Sequence, residues 1–291
     1  VTVSIGPRQS RSPTTVATGG VELDYLTTGS TVVTANIPSF RVLPSDTQAV
    51  TVTAPFASLS ATTVGGGLPF ATSGSLSSGN HGGISVVVKS SSPGIAAVSP
   101  NATTAGTDSV IIAVAAGATS FSYYVQGIEG QTGAVTIRAT APGFTDGTAT
   151  ATVVQPAVDV IFLAGTGSAA STVDDPFQVR IGYANSPTNS SMSAEQALRA
   201  GGPGALTVTI QVTDSAAALL KTLAQPSGAG TVTVQIAVGQ ARSATTVAAG
   251  GVAFDFVAPG TLRVVPTISG YITVQQTSPF TLPGWQVVVT P

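Results

Sequence analysis

The residues that could do acid–base chemistry are few in this chain and lie far apart. Its one histidine, His81, lies in the Gly/Ser-rich stretch SSGNHGG, with no acidic residue nearby in the sequence. A Ser-His-Asp hydrolase would need this histidine, and no G-x-S-x-G element in a strand–turn–helix setting supplies a nucleophile. We therefore interpret His81 as a solvated loop residue and predict no catalytic site.

The acidic residues include one adjacent pair, Asp174–Asp175 in STVDDPF. A calcium site takes roughly six to eight oxygen ligands, and no D-x-D-x-D series accompanies the pair. We favour a turn in which these carboxylates bond backbone amides before Pro176. Asp24 and Asp255 occupy one repeated position, and we interpret both as outward-facing or loop-bonding. The chain has no cysteine, and we predict no metal and no cofactor.

Aromatic residues make up only 5% of the chain. A glycosidase would need two facing carboxylates in a cleft lined by aromatic side chains, and the low aromatic content does not favour such a site. Trp285, the single tryptophan, alternates with valines in PGWQVVV, which indicates core packing and leaves an interface or sugar-stacking role open. The same alternation predicts four more core residues: Phe121, Tyr123, Phe254 and Phe256.

The elements that must position these residues are strands. Valine and threonine alternate in stretches such as AVTIRAT and TVTVQIAV, which is the pattern of half-buried β-strands. Clusters of Gly, Pro, Asn and Ser interrupt them at intervals of about eight to twelve residues, the spacing of an all-β sandwich. We predict an all-β fold.

One stretch departs from this pattern. In SAEQALRAGG, Ser193 and Gln196 form a capping box and Gly201 fits a C-terminal cap. We predict a short helical insert over 193–201 that covers a sheet end, with a partner contact as the alternative.

The composition also limits the partners. Charged residues are 8% of the chain and the net charge is -2, against about 25% charged residues in ordinary soluble domains. Basic residues are few and scattered, so we predict no nucleic-acid partner. The mean hydropathy is +0.41, yet no run reaches the roughly 18 apolar residues of a membrane helix, so we predict no membrane insertion. Asn101 and Asn189 fit the N-glycosylation pattern.

The chain repeats itself. When Val1 is placed on Val232, residues 1–40 align with 232–271 without a gap, and 18 of the 40 positions are identical. A more diverged copy begins near Ser109, and all three copies end in a Val-rich strand and a proline. The repeat predicts three units: the C-terminal half of a sandwich at 1–55, a whole sandwich at 56–156, and a longer sandwich at 157–291. We expect the half unit to be completed by a longer array or by another chain.

The stretches SSSPGIAAVSP, from Ser90, and ATAPGFTDGTATATV, from Ala139, resemble the strand–turn–strand signature and the closing strands of bacterial immunoglobulin-like domains. This resemblance implies tandem immunoglobulin-like β-sandwiches of the kind found in large cell-surface and adhesin proteins, and it implies no catalytic residues. The stretch from Tyr183 to Leu206 exceeds a minimal domain of that family.

The function that we expect is that of a non-catalytic, extracellular or cell-surface protein with a structural or adhesive role. It would be a repeat segment of a large surface protein or a subunit of an extracellular filament. Its expected partners are neighbouring repeats or further copies of itself, and possible further partners are cell-surface glycans. The alternative is a carbohydrate-binding module of a secreted protein, which would need an exposed aromatic platform.

Overall fold

The fold is built almost entirely from β-strands. The computed structural model describes five stretches of the chain: residues 1–23, 28–41, 43–163, 174–274 and 280–282. Within these stretches lie 23 strands and three short 3-10 helices, which confirms the prediction of an all-β fold. The chain separates into two compact units, Val1–Pro55 and Phe56–Pro291.

The first unit holds one β-hairpin. Its strands are β1 (Gly29–Thr34) and β2 (Thr47–Val52), and 3-10 helices lie at Val16–Thr18 and Pro44–Asp46. The two strands pair antiparallel, with Gly29 opposite Val52. None of the described residues of this unit is fully buried, so its described part has no core of its own.

The second unit begins with a β-sandwich that we call the first sandwich, residues 56–156. Its strands are β3 (Ala57–Leu59), β4 (Thr62–Gly65), β5 (Pro69–Leu76), β6 (Ile84–Ser90), β7 (Ala96–Ser99), β8 (Ser109–Val114), β9 (Ser120–Gly127), β10 (Gly133–Thr140) and β11 (Gly147–Val154). They form a four-stranded sheet in the order β3-β5-β9-β7 and a five-stranded sheet in the order β4-β11-β10-β6-β8.

Alternating valines and isoleucines build the core between these two sheets. Val86 and Val88 of β6 and Val135 and Ile137 of β10 are buried, while the residues between them face outward. On the opposite sheet Tyr123 is almost fully buried. Each strand therefore presents one apolar face to the other sheet, as period-two patterning requires.

The chain continues into what we call the second sandwich, residues 157–282. Its strands are β12 (Ala157–Ile161), β13 (Asp175–Ala184), β14 (Met192–Glu195), β15 (Leu206–Val212), β16 (Ala218–Thr222), β17 (Gln225–Ala229), β18 (Thr231–Ile236), β19 (Val252–Phe256), β20 (Gly260–Leu262), β21 (Val264–Thr267), β22 (Ile272–Thr273) and β23 (Phe280–Leu282), with a 3-10 helix at Val247–Ala249. The described sheets have the orders β17-β16-β19-β13-β12-β22, with β14 on β13, then β18-β15-β21 and β20-β23.

The two sandwiches share a strand order. In one sheet, β7-β9-β5-β3 of the first sandwich corresponds to β16-β19-β13-β12 of the second. In the other sheet, β8-β6-β10 corresponds to β18-β15-β21. The corresponding strands also follow one another in the same order along the chain, as an internal repeat requires.

The predicted helix over 193–201 is wrong. Residues Met192–Glu195 form β14, which pairs antiparallel with β13, and no helix follows up to Leu206. The side chain of Gln196, which a capping box would aim at Ser193, is bonded to the first sandwich instead. Tertiary hydrogen bonds thus override a local helix propensity that amounts to only tenths of a kcal/mol per residue.

Candidate functional site at the junction between the sandwiches

His81 lies in a loop of the first sandwich, as predicted, but its ring is not simply solvated. It is half-buried; Nε2 lies 2.9 Å from the carbonyl oxygen of Ala118, and Nδ1 lies 3.3 Å from the backbone nitrogen of Gly83. Its edge also contacts the ring of Phe144, with centroids 6.2 Å apart. These contacts use the histidine to close a loop rather than to present a base.

The acidic pair lies at the start of β13, and one member takes part in a cluster around Lys221. The Nζ atom of Lys221 lies 2.9 Å from Oδ1 of Asp174 and 3.0 Å from Oδ2 of Asp255. Two hydrogen bonds raise the pKa of Lys221: the one to Asp174 has the larger effect, and the one to Asp255 has the next largest. Asp174 therefore bonds a lysine, where a backbone amide was expected, and Asp255 has a cross-strand partner.

The remaining predicted residues divide between the core and undescribed parts of the chain. Phe121, Tyr123, Phe254 and Phe256 are buried, which confirms their prediction as core residues. Trp285 and Asp24 lie outside the described residues. Among the residues that the structure does describe, no three His, Cys, Asp or Glu side chains come together in a group that could hold a metal ion. In that same part of the chain no helix is long and apolar enough to cross a membrane.

The most elaborate polar arrangement is one that the sequence did not predict. Residues 192–202, which we call the strap, leave the second sandwich and contact the first. The strap begins as β14 on the edge of β13. Leu198 then exchanges backbone hydrogen bonds with the loop at Gly239 and Gln240. Finally Arg199 donates its backbone N–H to the carbonyl of Gly67 in the first sandwich, at 3.0 Å.

Gln196 of the strap binds the backbone of the first sandwich with both ends of its amide. Its Oε1 accepts the N–H of Gly65 at 2.8 Å, and its Nε2 donates to the carbonyl of Thr63 at 3.1 Å. Gln196 is buried, so each of these groups would be costly to leave without a partner. The side-chain amide thus acts like a strand residue paired with the edge of β4.

Arg199 makes the second side-chain link. Its Nε donates to Oε1 of Glu129 at 2.8 Å and its Nη2 donates to Oε2 at 2.5 Å. The guanidinium is buried and the carboxylate is about one third exposed. Two parallel charge-assisted hydrogen bonds fix the angle as well as the distance between the partners.

Tyr271 lies beside this ion pair. Burial raises the pKa of Tyr271 to about 12, and the negative charge of Glu129 adds to the effect. Nearby, Gln155 of the first sandwich donates its Nε2 to the carbonyl of Gly270 at 3.1 Å, and Ile272 donates its N–H to the carbonyl of Pro156 at 2.8 Å. The short connection between the sandwiches is therefore held by two hydrogen bonds to the segment 270–272 of the second sandwich.

The second sandwich also carries an open cleft of about 990 Å³ beside the strap. Glu195 and Arg242 lie in its wall and form a bidentate ion pair, with distances of 2.7 and 2.8 Å. The hydrogen bond that Arg242 donates to this carboxylate raises the pKa of Arg242. The guanidinium also lies over the ring of Phe162, 5.6 Å from its centroid, and that ring is two-thirds exposed.

No protein-family profile and no curated protein matches the chain. Among solved structures, the chain is similar to the adhesin InvE of Yersinia pseudotuberculosis, with a TM-score of 0.24 and 13% sequence identity. The match covers 74% of this chain and 56% of the adhesin chain, so the chain spans little more than half the length of that protein.

Proposed function

We propose that this chain is a non-catalytic, extracellular structural and adhesive segment built from tandem immunoglobulin-like sandwiches. The observation that carries the proposal is the junction, where the strap of the second sandwich is bonded to the first through Gln196 and Arg199. Domains that act independently need only a flexible linker, whereas a segment that transmits force or holds a binding surface at a distance benefits from a fixed joint.

The use of the polar side chains supports the same function. His81 closes a loop, Lys221 joins two carboxylates across β13, β16 and β19, and Arg199 joins two sandwiches. A catalytic site keeps such groups in a concave pocket, with shifted pKa values and room for a substrate. Here these groups hold strands and loops together.

The structural part of the proposal is tested by pulling the whole chain between its ends in single-molecule force measurements. If the junction couples the sandwiches, the double variant Gln196→Ala, Arg199→Ala should separate one unfolding event into two at lower force. The matched control is the double variant Gln211→Ala, Arg138→Ala, which removes exposed side chains of the same types. Identical force traces for the wild type and the junction variant would contradict the proposal.

The adhesive part is tested with beads coated with the whole chain and flowed over epithelial cells and immobilised matrix proteins. We expect more beads to be retained than with an albumin coat, and soluble chain to compete with the retention. Protease treatment of intact producing cells should remove the protein if it lies on the surface. Equal retention of both coats, together with protection from protease, would argue against a surface adhesin.

The second candidate function, carbohydrate binding, is favoured by one observation. The Glu195–Arg242 pair lies in the wall of the cleft, and the exposed ring of Phe162 lies against Arg242. An exposed aromatic ring beside polar groups is the combination found in many sugar sites. A glycan array probed with the whole chain tests this. Binding that is lost in Phe162→Ala and kept in Phe56→Ala, another exposed phenylalanine, would support a carbohydrate-binding module.

A further inference from the structure

The segment that is repeated at residues 1–40 and 232–271 is packed against other strands in the second copy and exposed in the first. Val3, Ile5, Val21 and Leu23 of the first unit align with Val234, Ile236, Val252 and Phe254 of the second sandwich. The four residues of the first unit are 37%, 44%, 50% and 49% exposed, whereas their counterparts are 3%, 0%, 0% and 0% exposed. Identical or similar side chains at equivalent positions are therefore core residues in one copy and surface residues in the other.

The local backbone is the same in both copies. The 3-10 helix Val16–Thr18 aligns with Val247–Ala249, and the glycines that end them, Gly19 and Gly250, have φ angles of 94° and 93°. In each copy the following glycine donates its N–H to the threonine before the helix, at 2.8 Å. The first unit thus has the local conformation of a repeat's second half.

The hairpin of the first unit also matches that of a complete sandwich. Gly29 lies opposite Val52, and at the equivalent positions of the first sandwich Gly133 lies opposite Val153. There the inward residues of the hairpin are buried by the opposite sheet, which β5 and β7 help to build. The first unit therefore has a hairpin in the register of a sandwich, and its described residues include no strand that faces this hairpin.

The second sandwich shows what covers these positions. Val234 and Ile236 lie on β18, which pairs with β15, and Phe254 lies on β19, which pairs with β16 and β13. All three covering strands come from residues 174–231, the first half of the repeat. The described residues include two such first halves, and both are already paired. In the first sandwich β6 and β7 pair with β8, β9 and β10, and in the second β15 and β16 pair with β17, β18, β19 and β21.

The ion pairs of the repeat also indicate that a first half of the repeat would cover the first unit. Arg242 of the second sandwich forms its bidentate pair with Glu195, which belongs to the first half of that repeat. Arg11 aligns with Arg242 and is exposed. A first half with glutamate at the position of Glu195 would place a carboxylate against Arg11.

We propose that the described residues of 1–52, which are 1–23, 28–41 and 43–52, form a docking surface for the first half of a further repeat, a segment with strands like those of residues 174–231. This inference rests on the repeat organisation in the proposed function but does not depend on adhesion. Strand pairing would give the affinity, and alternating valine and isoleucine side chains would give the register.

The test is a longer chain in which a copy of residues 157–231 is placed directly before Val1. Hydrogen–deuterium exchange of residues 1–23 should slow by about 100-fold or more, because their amides become part of a cooperative sheet. The control carries Val208→Asp and Ile210→Asp in the added copy only, which puts charges in the docked face, and it should exchange as fast as the original chain. Unchanged exchange in the longer chain, with residues 84–154 still protected, would overturn the proposal.

A second measurement works even if the longer chain is only marginally soluble. Thr233 lies opposite Thr209 in the second sandwich, and Thr2 aligns with Thr233. The chain has no cysteine of its own, so Thr2→Cys together with Thr209→Cys in the added copy should form a disulfide that is detected after denaturation. Val208→Cys in place of Thr209→Cys should not cross-link, since a shift of one residue turns the side chain to the other face.

The source of the occupant is tested with the original chain. If a second molecule supplied the cover, exchange of residues 1–23 would slow as the chain concentration rises. That result would overturn a separate first half as the occupant, whereas exchange independent of concentration supports it. Bead retention on cells is a separate measurement, so a failure of adhesion and a failure of docking can be told apart.

Discussion

Arg199 and Glu129 lie 70 positions apart in the sequence and form a bidentate ion pair between the two sandwiches, with N···O distances of 2.8 and 2.5 Å. The same strap supplies Gln196, whose amide bonds the backbone at Thr63 and Gly65. Two residues separated by three positions thus reach strand β4 and the loop between β9 and β10 of the preceding sandwich. The absence of a helix at residues 196–199 makes this possible, because a helix would place both side chains on one face.

The first prediction concerns this ion pair. Arg199→Ala removes two charge-assisted hydrogen bonds from a buried guanidinium and should lower the free energy of unfolding by about 2–3 kcal/mol. Arg138→Ala removes a pair with Asp146 whose arginine is mostly exposed, and it should cost less than about 1 kcal/mol. Urea unfolding followed by circular dichroism measures both. Equal losses for the two variants would mean that the junction pair has no special role.

The second prediction concerns the buried amide. Gln196→Ala leaves the N–H of Gly65 and the carbonyl of Thr63 without their partner and should lower the free energy of unfolding by about 1–3 kcal/mol. The matched control is Gln211→Ala on β15, where the side chain is exposed, and its effect should lie within about 0.5 kcal/mol of zero. Faster amide exchange at Gly65 in the Gln196→Ala variant alone would locate the effect at the junction.

Particular residues show how much of this could be predicted from the sequence. Val86 and Val88 lie two positions apart in the sequence, and so do Phe121 and Tyr123. This spacing predicts strands and their buried faces, because a period of two is a local property of the sequence. Direct comparison of the copies likewise predicts that the first repeat ends at Pro55. These features depend on neighbours in the chain or on direct comparison of its copies.

The junction could not be predicted in the same way. Gln196 and Arg199 lie in a stretch with good helix formers, and their partners are separated from them by 131 and 70 positions. Nothing in local propensity identifies such partners, and the capping-box pattern pointed to the wrong element. The one available signal was that SAEQALRAGG lies within a stretch longer than a minimal domain of this kind needs.

The third prediction concerns the close approach of the strap to β13. A Cβ atom on Gly182 would lie 1.9 Å from the carbonyl oxygen of Ala194, so Gly182→Ala must push β14 away from β13. We expect a loss of about 2–3 kcal/mol and a weakened junction, since Glu195 and Gln196 would move with the strand. Gly82→Ala is the control, because nothing lies within 4 Å of its added methyl group. Thermal unfolding that is equally unaffected in both variants would show that the strap does not need this contact.

The last prediction concerns alkaline stability. Burial raises the pKa of Tyr271 from 10.0 to about 12, with Glu129 contributing. Between these two pH values the unfolded chain releases the phenolic proton while the folded chain retains it, so the stability that is present below pH 10 is lost as the pH rises towards 12. Tyr271→Phe removes this loss and should raise the pH midpoint of alkaline unfolding. Burial also raises the pKa of Tyr123 to about 12, opposed by its hydrogen bond with Thr72, so absorbance titration of the variant should lose the late transition of Tyr271 and keep that of Tyr123. An unchanged midpoint, together with the loss of a phenol that titrates near pH 10.0 rather than later, would place the Tyr271 hydroxyl in water rather than at the junction.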